Sequence, residues 1–205
     1  MSQGTVVDRG VEGNSRLTGT IGALLVLLLF AQGLTILSIR GLITLHVFIG
    51  LLLVPPVALK IASTTYRFAR YYTHAAPYVR RGPPHALLRL IGPLLVATTV
   101  ALLGSGIWLL TAGPARAGLP LTVHKAAFVV WFALAAVHVL AHVRDSVALA
   151  ARDWLRTGPR QRAHGRGARA GAVALALVAG VALGALVTPT ATVWTNHPVY
   201  IQGHR

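Results

Sequence analysis

The chain has 205 residues, of which 55% are hydrophobic and only 11% charged, at a mean hydropathy of +0.66, a balance too apolar for a water-soluble domain. It contains no cysteine, which excludes disulfides, thiolate metal ligands and an iron–sulfur cluster bound by this chain. A formal charge of +15 would normally raise nucleic acid as a partner, but the placement of the arginines excludes that class as well.

In chain order, residues 1–16 form a polar, glycine-bearing N-terminal segment. Five apolar runs then follow, each long enough to cross a bilayer as a helix, at about 17–38, 41–63, 86–112, 121–143 and 170–188. The first begins at Leu17 and stays apolar for about twenty residues, beyond the 7 to 15 of a signal-peptide core, and no small-x-small cleavage site follows it. It reads as a retained anchor. Short turns after the first and third runs make two antiparallel hairpins. Between the second and third lies TTYRFARYYTHAAPYVRRGPPH, where Tyr66, Tyr71, Tyr72 and Tyr78 alternate with arginines as at a membrane interface, and where Pro83 and Pro84 open the third run. Those tyrosines are also candidates to border a quinone head group or a docked partner. The fifth run is rich in Ala, Val and Gly, has no ionisable residue and reads as peripheral to any site. The expected fold class is all-α: a polytopic membrane helix bundle over 17–190 with a four-helix core, followed by a tail over 191–205.

Arg67, Arg70, Arg80 and Arg81 follow the second run, and Arg144, Arg152, Arg156, Arg160, Arg162, Arg166 and Arg169 follow the fourth. The opposite connections hold little more than Arg40 and Arg116. This is the positive-inside asymmetry. It predicts a multi-pass protein of the bacterial plasma membrane with the N-terminus in the cytoplasm and the tail outside. The basic residues then serve orientation and contact with anionic membrane lipid, with no role in binding nucleic acid.

The chemistry lies in the histidines. His124 and His138, fourteen residues apart in LTVHKAAFVVWFALAAVHVLAHV, return to within about 40° of one helix face roughly 21 Å apart along the axis. Ionisable side chains at this depth are costly and usually serve a pathway or a cofactor, and neutral imidazole is an axial ligand of haem iron. In the predicted topology the second and fourth runs are parallel, so His46 and His124 lie at matching depth near the outer face. They are the first candidates to ligate iron from opposite sides. Gly50, one turn beyond His46, would leave room for a macrocycle, as would Gly104 and Gly106. His138, with His142 one turn later, would offer a ligand at the inner level. Fourteen residues after His46 stands Lys60, where a symmetric second site would need histidine; Lys60 is a candidate ligand or propionate partner, and His85 an alternative. His74, His164, His197 and His204 fall in polar segments and read as solvated.

With His46 in LHVFIG, His124 in VHKAAF and His138 in VHVLAH, residues 40–145 resemble the bacterial membrane-bound cytochrome b proteins, a group that includes the b-type subunits of nickel–iron hydrogenases and formate dehydrogenases. The resemblance implies a four-helix bundle holding one or two b haems through histidine pairs, and electron transfer between the quinone pool and a partner oxidoreductase. The chain would then be an electron-transfer subunit rather than a self-contained enzyme. The competing expectation is a membrane subunit of a transporter or assembly factor without a cofactor, in which the same histidines bind a metal or relay protons. Against it, the four acids, Asp8, Glu12, Asp145 and Asp153, all lie outside the apolar runs.

Overall fold

A computed structural model describes residues 9–80, 86–155 and 166–196, with side chains described over 10–80, 90–140 and 167–196. Its helices are α1 (Arg9–Leu37), α2 (Ile39–Tyr72), α3 (Ala76–Arg80), α4 (Ala86–Ala112), α5 (Gly118–Leu155), α6 (Arg166–Val187) and α7 (Thr192–Thr195). No strand occurs among the described residues, and α1, α2, α4, α5 and α6 are each long and apolar enough to span a membrane. The protein is therefore an all-α, multi-pass membrane protein. Large apolar side chains such as Leu27, Phe30, Leu90, Val129, Phe132, Leu140, Leu175 and Leu186 point away from the bundle, as lipid contact requires.

The breaks between helices have local causes. At the α4–α5 turn Gly113 takes φ +70°, a left-handed cap that suits glycine, and donates its N–H to the Leu109 carbonyl at 3.1 Å; Pro114 then starts a short 3₁₀ turn. The α1–α2 turn is tighter, pivoting on Ser38 with a kink at Leu42 (φ −116°, ψ 16°).

Helices α1, α2, α4 and α5 pack in a ring, each against the next, and α5 closes back on α1. Among the described residues α2 and α5 make no extended backbone approach, so they face each other across a diagonal. The apolar core gathers on one side of this ring, where Ile21 and Leu25 of α1 pack with Leu53 of α2 and with Ile49, Val57 and Val173 around them.

Helix α6 packs on the outside of this ring, along α2. Ala176, Gly180 and Gly184 form its buried stripe against α2. A Cβ placed on Gly180 would collide with the Leu52 carbonyl oxygen, and one on Gly184 would lie 2.8 Å from the Phe48 ring. The four-residue glycine spacing lets the two backbones touch. The sequence of α2 explains why Leu52 is the point of contact: Pro56 lacks the N–H that would pair with the Leu52 carbonyl inside the helix. That carbonyl instead faces the α6 backbone at Gly180, where the lack of a side chain makes room for it.

Three boundaries also differ. Residues 9–16 belong to α1 rather than to a separate N-terminal segment, stabilised by an ion pair between Glu12 and Arg16 one turn apart. The connection after the second span is largely helical, since α2 runs on to Tyr72. The start of the expected tail folds back: Thr188–Ala191 and α7 pack on α2, burying Ala191 and Trp194. Residues 197–205 lie outside the described residues.

Helix α2 ends in a left-handed turn at His74 (φ 55°), with Ala75 donating to the Arg70 carbonyl at 3.1 Å and His74 to that of Tyr71 at 3.1 Å. A side chain here costs what glycine would not, and His74 is exposed. His74→Gly is expected to stabilise the protein by up to about 1 kcal/mol, read as a later midpoint in detergent-denaturation titrations, where most exposed-to-glycine changes give an earlier one.

Candidate functional site

The two hairpins bring His46 and His124 together. His46 stands two turns into α2 and His124 two turns into α5, each near the turn that opens its hairpin, and their ring centres lie 6.5 Å apart with the planes at 83°. Both side chains are half-buried. Because α2 and α5 sit on the diagonal, the imidazoles meet across the middle of the ring rather than along a helix–helix seam. The sequence expectation that these two share one level is met.

Each histidine rests on the partner helix of its own hairpin. Nδ1 of His46 lies 2.7 Å from the Thr35 hydroxyl on α1, and Nδ1 of His124 lies 3.0 Å from the Ser105 hydroxyl on α4. Thr35 and Ser105 are themselves buried, at 2% and 4% exposure, in a chain whose helices leave most of their surface outward. The amide nitrogen of Gln32, one turn from Thr35, sits 3.2 and 3.3 Å from the two ring nitrogens of His46 and donates to the His46 carbonyl at 3.1 Å. A point nearly equidistant from both ring nitrogens lies on neither lone-pair axis, so Gln32 covers the ring without occupying a donor position. Its Oε1 is buried without a hydrogen-bond partner.

The remaining sequence candidates fall differently. Gly50 adjoins the site, but the space a side chain would fill there is taken by Gln32, whose amide nitrogen lies 3.5 Å from where a Cβ would be. Gly106 lies directly against His124, 3.4 Å from its Cε1 by the same measure, and Gly104 borders open space. Lys60 does not extend the ligand line of His46. Its ammonium crosses to α1 and donates to the Thr18 carbonyl at 2.7 Å, against Gly22, which leaves room for it. Around it, Asn14 donates to the Ser63 carbonyl at 3.1 Å and the Thr18 hydroxyl meets that of Ser63 at 3.1 Å, a polar knot that ties the far ends of α1 and α2.

His138 is half-buried on α5, fourteen residues from His124 and away from the pair. His142 belongs to α5 by its backbone, but its side chain lies outside the described residues, as do His85, His164, His197 and His204. Trp131 donates its indole N–H to the Thr99 hydroxyl at 2.9 Å and so joins α5 to α4. Among the described residues no three histidine or acidic side chains converge as a metal cluster.

Sequence reasoning missed Gln32, Thr35 and Ser105. The available signal was a polar side chain within an apolar run, close to a hairpin turn, which in a membrane points to a buried partner. No protein-family model, curated protein or solved structure matches this chain.

Proposed function

We propose that the chain is a membrane-bound b-type cytochrome in which His46 and His124 hold one haem b and pass electrons between the quinone pool and a partner oxidoreductase. The observation that carries this reading is the histidine pair on diagonally opposed helices. One metal ion shared by two imidazoles, with bonds of about 2 Å, sets the ring centres roughly 6 Å apart, close to the 6.5 Å found here.

The donor set argues for a macrocycle rather than a bare ion. A zinc-like site needs three or four protein donors, and the described residues gather only two at this level. A porphyrin brings four nitrogens of its own and asks the chain for axial ligands only. The diagonal placement of α2 and α5 and the absence of a side chain at Gly106 suit a flat group between the helices. Bound haem with two imidazole ligands has no open coordination position and exchanges single electrons without binding substrate. The chain's own contribution is to aim two nitrogens, to exclude water with lipid-facing apolar walls, and to fix the depth of the site.

That depth follows from the arginines. With the Arg-rich connections in the cytoplasm, the pair lies toward the outer leaflet of the bacterial plasma membrane, the N-terminus is cytoplasmic and the C-terminus extracytoplasmic. A second haem at the level of His138 would need a ligand other than Lys60, whose ammonium is held by Thr18.

A reduced-minus-oxidised visible spectrum of the detergent-purified protein, with haem counted per chain, tests the proposal. The expected result is the sharp band of a six-coordinate b haem at one haem per chain. A count of two would add an inner site at His138. A colourless protein from haem-replete cells would overturn the cytochrome reading and leave a membrane subunit of a transporter or assembly factor.

A further inference from the structure

We infer that Thr35 and Ser105 are positioning residues for the histidine pair: each hydroxyl holds its imidazole in the Nδ1–H form, so that Nε2 is the nitrogen left to bind a metal. A hydroxyl has one hydrogen to give. That of Thr35 goes to the Gln32 carbonyl at 2.6 Å, and that of Ser105 to the Leu102 carbonyl at 3.0 Å. Each oxygen therefore faces its histidine as an acceptor only, at 2.7 and 3.0 Å from Nδ1. The proton of the bond must come from the ring.

The arrangement repeats across the bundle. Each hairpin supplies a ligand candidate from its second helix and an acceptor from its first, and in both the acceptor is anchored to a main-chain carbonyl three residues earlier on its own helix. A main-chain anchor cannot turn its lone pair away, so the ring orientation is fixed before any cofactor binds. Burial makes the device more binding, because neither hydroxyl has water to exchange partners with. The geometry stands on the apoprotein alone; its consequence for iron rests on the proposed haem reading.

Orienting partners of this kind raise ligand basicity, and losing one typically costs 10- to 100-fold in metal affinity. Two measurements separate the inference from the reading it rests on. The first needs no haem: nitrogen-15 spectra of histidine-labelled, full-length apoprotein in lipid bilayers, with the two rings assigned by difference against His46→Ala and His124→Ala. Both rings are expected to show protonated Nδ1 and bare Nε2, and Thr35→Val or Ser105→Ala to release the affected ring from that form. A protonated Nε2 on both rings of the unmodified protein would overturn the inference whether or not haem binds.

The second uses the haem-loaded protein. Thr35→Val is expected to raise the midpoint potential, because a less basic imidazole stabilises ferric iron less, and to lower haem retention by about tenfold. Ser105→Ala is expected to act in the same direction but less, since its hydroxyl stands farther from its ring than that of Thr35, at 3.0 against 2.7 Å. Thr35→Ser and Ser105→Thr, which keep the hydroxyl, are expected to restore the original potential. Unchanged potential and retention in both hydroxyl-free variants would overturn the role of these residues while leaving the haem reading intact. Absence of haem from the unmodified protein would sink that reading and leave the nitrogen spectra to decide the tautomers.

Discussion

His46→Ala and His124→Ala are each expected to abolish the same b-type absorbance, and the double variant to do no more than either alone. The reason is that, in the proposed reading, the two rings would serve one centre. They face each other at 6.5 Å from helices that make no extended backbone approach among the described residues. Removing either would leave a bound haem with a single ligand from the chain, and losses at residues that act as a unit do not add. Both substitutions also take a half-buried ring away from a buried hydroxyl, Thr35 or Ser105, so part of the damage is to packing. Elution of an intact monodisperse protein in detergent distinguishes loss of ligand from loss of fold.

Lys60→Ala is the informative contrast. Its ammonium is held by the Thr18 carbonyl at 2.7 Å, so the spectrum is expected to survive while the α1–α2 knot loosens. Full haem content in both histidine variants, or its loss in the Lys60 variant alone, would remove the proposed ligand pair.

The parts of this molecule that were legible in the sequence are those set by local composition. Five apolar runs read directly as five spans, because a chain in lipid must satisfy its backbone within each helix. The shared level of His46 and His124 was legible because both follow a short hairpin turn by a similar distance, and topology did the rest. What escaped the sequence depends on pairing between distant segments. Thr35 and Ser105 are ordinary hydroxyl residues until their neighbours are known, and nothing local marks Ser105 as the residue that meets His124 nineteen positions later. Lys60 stands at the ligand spacing from His46 yet turns to another helix, since helical phase fixes a direction only to within the reach of a long flexible side chain. The helix boundaries were placed short at α1, α2 and α5 because hydropathy ends where the bilayer does, while the helical backbone continues past it, held in α1 by the Glu12–Arg16 ion pair.

The fifth span carries the second large prediction: Gly180→Leu is expected to detach α6 from α2, and Gly180→Ala alone to cost about 1–3 kcal/mol. Its composition marked it as peripheral to any site but did not show which glycines meet another helix. In the structure a Cβ on Gly180 would meet the Leu52 carbonyl oxygen, with the carbonyl carbon at 3.1 Å and Leu52 Cα at 3.2 Å. These are backbone atoms that cannot step aside by changing rotamer. Gly184→Ala is expected to cost less in stability, because its closest neighbour is the Phe48 ring at 2.8 Å, which can swing, while the nearest backbone atom, the Phe48 carbonyl oxygen, lies at 3.2 Å. Phe48 is two residues from His46, however, so its displacement is expected to reach the histidine pair and weaken haem retention. Gly171→Ala on the same helix supplies the control: no atom lies within 4 Å of its Cβ position, and better helix propensity predicts a gain of up to about 1 kcal/mol. Denaturation titrations in detergent read the three stabilities. Since the chain has no native cysteine, a disulfide introduced between α2 and α6 reports their contact without background. Equal stability of Gly180→Ala and Gly171→Ala, with cross-linking undiminished in Gly180→Leu, would mean that α6 is not held to α2 through its glycine face.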